Sequence, residues 1–133
     1  TRVAHRAEDG LPQGQRPLQW MREGLVDIMV PATHNHEPDS LDWSIARFVE
    51  AAAQSPRPCR VVPQIWPTRS LWGKRKEKGL HSEDAILGRV TDLVERGSDG
   101  CYFFNFFVWT GSDGAEPEWQ TLFARLTEAA ERA

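Results

Sequence analysis

The sequence is poor in the features that mark several protein classes. Only two of its 133 residues are cysteine, Cys59 and Cys101, too few for a disulfide scaffold and without the spacing of a metal site. Each stands at the start of an expected strand, so a buried reduced thiol is the first expectation and a bridge between the two strand starts is the alternative. No apolar run approaches the roughly 18 residues of a membrane-crossing helix, so no membrane span is expected. Positive charge is not in excess either. Lys and Arg total 16 against 19 Asp and Glu, a formal net charge of −3, whereas gripping a phosphate backbone takes a basic patch. The densest cation cluster, Lys74, Arg75, Lys76 and Lys78, is interrupted by Glu77 and reads as a solvated loop. No nucleic-acid partner is expected.

What is present fits a soluble globular chain, with 40% hydrophobic and 26% charged residues. A length of 133 residues is enough for one core, yet is about half of the roughly 250 residues of a complete (β/α)8 barrel. The first residue is Thr1 rather than Met, so a natural start upstream is expected. Residues 1–16, rich in Gly, Gln, Arg and Pro, have no apolar period and are expected to form a loop or an incomplete N-terminal connection. The ordered segment, residues 17–133, reads as an initial helix followed by three strand–helix units.

The initial helix runs from Pro17 to Glu23, with Gly24 as its left-handed C-terminal residue. Leu25 to Val30 form a short apolar strand that stops at Pro31, as suits a strand buried on both faces of a parallel sheet. Asp39, or alternatively Ser40, caps a helix whose apolar residues Leu41, Ile45, Phe48, Val49 and Ala52 recur at helical spacing as far as Gln54. A second strand runs from about Cys59 to Ile65 and contains Pro63, an awkward residue inside a ladder. The connection from Trp66 to Leu80 is long for its type, and such loops are often functional. Ser82 caps a third helix with Ala85, Ile86, Val90, Leu93 and Val94 as its buried stripe. Gly97 and Gly100 flank the turn into a third strand, Cys101 to Val108. A final amphipathic helix begins near Pro117 and carries Trp119, Leu122, Phe123, Leu126 and Ala129.

Repeated strand–helix alternation implies a parallel sheet with right-handed crossovers, either an open doubly wound sheet or part of a closed barrel. A nucleotide-binding open sheet would show a Gly-rich phosphate turn after a strand, and none of the three strands has one. Polar and aromatic residues follow the strands instead. Thr33, His34, Asn35, His36 and Glu37 follow the first, Trp66 and Thr68 the second, and Trp109, Thr110 and Ser112 the third. In a barrel these three groups share one mouth, where active sites are built.

Two runs carry a resemblance. W-M-R-E-G-L-V-D-I-M-V-P, from Trp20 to Pro31, resembles the helix-to-strand segment of glycoside hydrolase-like family 10 proteins and related glycosyl hydrolases. G-S-D-G-C-Y-F-F-N-F-F, from Gly97 to Phe107, resembles the last barrel strand of the same proteins. The likeness covers roughly residues 17–133 and implies an α/β fold, the C-terminal portion of a (β/α)8 TIM barrel, with the three strands as its sixth, seventh and eighth. It implies action on the glycosidic bonds of a polysaccharide or glycoconjugate when full length, with no cofactor and with this piece alone inactive. Glycoside hydrolysis commonly uses two carboxyl groups across one bond. In many retaining barrels these come from strands four and seven, and strand four would precede this chain. Gln64 stands near the end of the seventh strand, where a catalytic Glu would be expected. A non-catalytic carbohydrate-binding barrel is therefore an alternative.

The cluster Thr33 to Asp39 is the densest chemical signal. Glu37 is the candidate catalytic carboxylate, and His34, Asn35 and His36 are candidate binders of sugar hydroxyls; alternatively Glu37 and Asp39 simply open a helix with favourable negative charge. No metal is expected. If one is bound, His34 and His36, which alternate along an extended segment, are its ligands with Glu37 or Asp39, and a metal-dependent hydrolase is the corresponding alternative. Gln64 is a candidate for holding a sugar hydroxyl or for a bond within the mouth. In the third strand, period-two alternation sets Phe103, Asn105 and Phe107 on one face, with Asn105 marking the side toward the barrel centre. Its amide needs partners, from a ligand or a buried network. Trp66 and Trp109, just past strand ends, are candidates to stack on a sugar ring, with core or lid packing as the competing role. Open strand edges at either end of a partial barrel lead to an expectation of self-association.

Overall fold

The computed structural model describes residues 1–4, 6–8, 10–32, 45–65, 83–104 and 124–128. Its strands are short and pair only in parallel. The sequence of elements is β1 (Arg2–Ala4), a 3-10 turn (Leu11–Gln13), α1 (Pro17–Arg22), β2 (Ile28–Ala32), α2 (Ala46–Ala53), β3 (Arg60–Val61), β4 (Gln64–Ile65), α3 (Glu83–Glu95) and β5 (Tyr102–Phe103). Residues 124–128 are again helical and are called α4 here.

One ladder runs β1-β2-β3 and a second runs β4-β5. β3 and β4 are successive parts of a single extended segment, residues 60–65. Strands adjacent in sequence are thus adjacent in space, with a helix in each crossover and no reversal of order. The strand β1 corrects the reading of residues 1–16 as a loop: Arg2, Val3 and Ala4 register with Val30, Pro31 and Ala32. Three residues are too few for a period to show. The same pairing carries β2 through Pro31 to Ala32, beyond the expected stop before proline.

Proline explains why the 60–65 segment is split. Along the β2 side the Arg60 N–H donates to the Asp27 carbonyl and the Val62 N–H to the Met29 carbonyl, each at 2.9 Å. The next rung of a parallel ladder would take a donor from residue 31 to the Val62 carbonyl, and Pro31 has no N–H to give. On the other side the Tyr102 N–H donates to the Pro63 carbonyl and the Phe104 N–H to the Ile65 carbonyl, each at 2.9 Å. Asp99 bonds Val61 at two points. Its N–H donates to the Val61 carbonyl at 2.9 Å, while its carboxylate Oδ2 accepts the Val61 N–H at 2.8 Å.

Two helices end as their glycines foretell. Gly24 (φ 68°) and Gly97 (φ 94°) are left-handed. In α1 the Gly24 N–H returns to the Met21 carbonyl and the Leu25 N–H to Trp20; in α3 the Gly97 N–H returns to Val94 and the Ser98 N–H to Leu93. These paired returns satisfy carbonyls that the helix leaves open. A β-carbon at residue 97 would also lie 3.1 Å from Val49 Cγ1, so the same glycine lets α3 end against α2.

The described helices all pack on one face of the strands. Val3, Met29 and Val61 are buried with Met21 of α1 and with Phe48 and Ala51 of α2. Ile65 is buried with Ile45, with Ile86, Val90 and Leu93 of α3, and with Leu126 of α4. Each large apolar side chain so buried contributes about 1.5–3 kcal/mol. The expected stripes of α2 and α3 are recognisable in these clusters, while the caps expected at Asp39 or Ser40 and at Ser82 lie outside the described residues. Phe103 packs against the second cluster, on the helix side. This reverses the expectation that Phe103 faces the centre, and it leaves Tyr102 and Phe104 on the helix-free face. Among the described residues no helix is long and apolar enough to cross a membrane.

Candidate functional site

The helix-free face of the strands has a different chemistry. Register places Gln64 opposite Tyr102, and counting from the pair Ile28–Arg60 places Ala32 level with Gln64. Ala4 pairs with Ala32. One layer across the face is therefore Ala4, Ala32, Gln64 and Tyr102. It lies at the C-terminal ends of the strands, which in open and closed parallel sheets is where ligands bind.

Gln64 is the singular residue of this layer. Its side chain is 1% exposed, and among the described residues neither Oε1 nor Nε2 has a hydrogen-bond partner. A carboxamide offers two donor hydrogens and two acceptor lone pairs, and leaving a buried polar group unmet costs about 1–3 kcal/mol. The rest of the face is more open: Ile28 is 47% and Tyr102 46% exposed.

Arg2 crosses this face. From β1 its guanidinium carbon lies 4.4 Å from the centroid of the Phe104 ring, just past β5. On a flat sheet these outer strands would lie about 14 Å apart, three spacings of about 4.8 Å. The contact therefore requires the sheet to curl toward its helix-free side. Arg2 starts one layer below Gln64, and its guanidinium ends against a ring one layer above it. Sequence reasoning missed both residues. Arg2 fell in the segment read as a loop, and Phe104 was assigned to the opposite face; the missing signal was the pairing of β1.

The other polar groups belong to the fold's supports. Arg89 is buried in α3 with its Nη1 3.2 Å from Asp92 Oδ2, and Asp92 also accepts from Arg96 Nε at 2.7 Å. Cys59 and Cys101 are both free thiols, each partly rather than fully buried. Burial pushes the Cys101 thiol up to about 12, with the Arg89 cation pulling weakly the other way. Burial, then the Asp27 carboxylate, raises that of Cys59. Both stay protonated at neutral pH and are poor nucleophiles or metal ligands. Among the described residues no group of three His, Cys, Asp or Glu side chains is placed to hold a metal ion. A shallow cavity of about 190 Å³ is lined by Leu11, Arg16, Leu18 and the Arg47–Glu8 ion pair. It lies on the helix side and contains no residue singled out from the sequence.

Of the site residues read from the sequence, Gln64 alone is described. His34, Asn35, His36, Glu37, Trp66, Asn105 and Trp109 lie outside the described residues. Comparison of the chain with protein-family models, with curated proteins and with solved structures found no match.

Proposed function

We propose that the chain is part of a glycoside hydrolase-like (β/α)8 barrel that acts on glycosidic bonds of a polysaccharide or glycoconjugate, with its sugar cleft at the C-terminal ends of the strands. The observation that carries this reading is Gln64, a buried carboxamide with no partner among the described residues for either polar atom. A sugar hydroxyl both donates and accepts, so one hydroxyl can take a proton from Nε2 and give one to Oε1, or two neighbouring hydroxyls can divide these roles. The parallel strands in sequential order, with the described helices on one face, support this reading. In this reading β1 is the fifth strand, β2 the sixth, the 60–65 segment the seventh and β5 the eighth.

The resemblance of the runs Trp20–Pro31 and Gly97–Phe107 to glycosyl hydrolases supports the same conclusion. Glu37 is then the carboxylate at the end of the sixth strand. His34, Asn35 and His36 bind hydroxyls, and Trp66 and Trp109 present ring faces to the sugar. A second reading, a barrel that binds carbohydrate without cleaving it, is favoured by the presence of an amide at position 64 where a carboxylate would be expected.

Titration with a panel of neutral and acidic oligosaccharides, followed by Trp fluorescence, together with product analysis, tests the proposal. Saturable quenching that is lost in Trp66→Ala or Trp109→Ala supports a sugar cleft. Cleavage is assayed on the full-length barrel: products abolished by Glu37→Gln support the hydrolase, and binding without products there supports the second reading. Absence of any response across the panel rejects both.

A further inference from the structure

Building on the reading of Gln64 as a sugar contact, we infer that the saccharide bound here is acidic, carrying a carboxylate or sulfate oxygen that Arg2 receives while Gln64 holds a ring hydroxyl. The inference stands on the placement of Arg2. Its guanidinium lies over the Phe104 ring, across the layer that contains Gln64, and among the described residues no carboxylate pairs with it.

The aromatic ring matters as much as the charge. Stacking on the Phe104 face leaves the edge of the guanidinium plane, where its N–H groups point, free for an anion. A fork of parallel N–H donors matches two oxygens of one carboxylate or sulfate group. The ring also fixes a long side chain, so less rotamer freedom is lost when a ligand arrives. A second cation, Arg60, stands on the same face one turn of the pleat below Val62, at the register position of Ile28. The strand residues of that face, from β1 to β5, include these two arginines and no aspartate or glutamate. The chain as a whole carries a formal charge of −3, so this face runs against the balance of the molecule. A neutral sugar would leave the Arg2 fork unused.

Binding of three probes of equal length to the whole chain tests the inference: an oligogalacturonate, a sulfated oligosaccharide and a neutral oligosaccharide. At low salt one or both acidic probes bind about tenfold more tightly than the neutral one, as a charge-assisted hydrogen-bonded contact provides. The advantage shrinks at high salt, where screening shortens the reach of the charge. Arg2→Gln removes the preference for the acidic probes; Arg2→Lys retains part of it, since it keeps the charge without the fork. The comparison between the uronate and the sulfate identifies which anion is read. Equal affinity for acidic and neutral probes, or a preference that survives in Arg2→Gln, overturns the inference while the sugar cleft stands. Failure of all three probes to bind overturns the cleft as well.

Discussion

The two faces of the same strands solve opposite problems. On the helix side Val3, Met29, Val61 and Ile65 meet Met21, Phe48, Ile86 and Leu93, and the side chains are apolar and fully covered. On the other side Arg2 reaches over Phe104, Gln64 is buried with its amide unmet among the described residues, and Ile28 and Tyr102 are half open. The first face removes about as much apolar surface from water as the short strands can offer. The second retains an uncompensated polar cost. In the proposed reading that cost, at the strand ends, is the local inconsistency a binding site carries.

Three changes sharpen the contrast. The largest expected effect is chemical. The Cys101 thiol packs against the helix-side cluster and is pushed up to about 12 by burial. At pH 8 it reacts with iodoacetamide at least about a hundredfold more slowly in the folded chain than in urea, because the thiolate is the nucleophile. The sign of the pH dependence follows. A raised folded-state value means that the folded chain keeps a proton that the unfolded chain releases, so this contribution to stability is complete below the unfolded value of 9.0 and is lost as the pH rises toward about 12. The urea midpoint therefore falls over that range, and falls less in Cys101→Ala. Equal alkylation rates in the two states would place Cys101 outside the packed face.

Next is the core itself. Phe48 is among the largest fully buried side chains, and Phe48→Ala costs about 3–5 kcal/mol, read as a lower urea midpoint with loss of cooperativity. A cost under about 1 kcal/mol would mean that α2 does not seal the strands as described.

Much of the helix side was legible in the sequence and little of the other side was. The apolar spacing through Phe48 and through Ile86, Val90 and Leu93 exposes the buried stripes, because a helix repeats its covered face every three to four residues. Gly24 and Gly97 marked helix ends because few other residues accept their backbone angles at low cost. β1 escaped notice because a three-residue strand has no period, and its pairing then moved the end of β2 past Pro31. Phe103 was set on the wrong side because five aromatics in seven residues give alternation no contrast from which to choose a face. At the site, Gln64 was recognisable by its place at a strand end. Its isolation was not, since it depends on what other strands bring beside it. The same holds for Arg2, whose partner Phe104 is about a hundred residues away in the chain.

The smallest expected change is also the most direct test. Gln64→Leu keeps the volume and removes both unmet polar atoms, so its stability and its sugar binding are to be measured together, by urea unfolding and by fluorescence titration. The account predicts opposite signs: the variant is more stable by about 1–3 kcal/mol and no longer binds the oligosaccharide that the wild-type chain binds. A variant that loses stability, or that binds sugar as tightly as before, would show that Gln64 serves the fold, and the sugar cleft would have to be sought elsewhere.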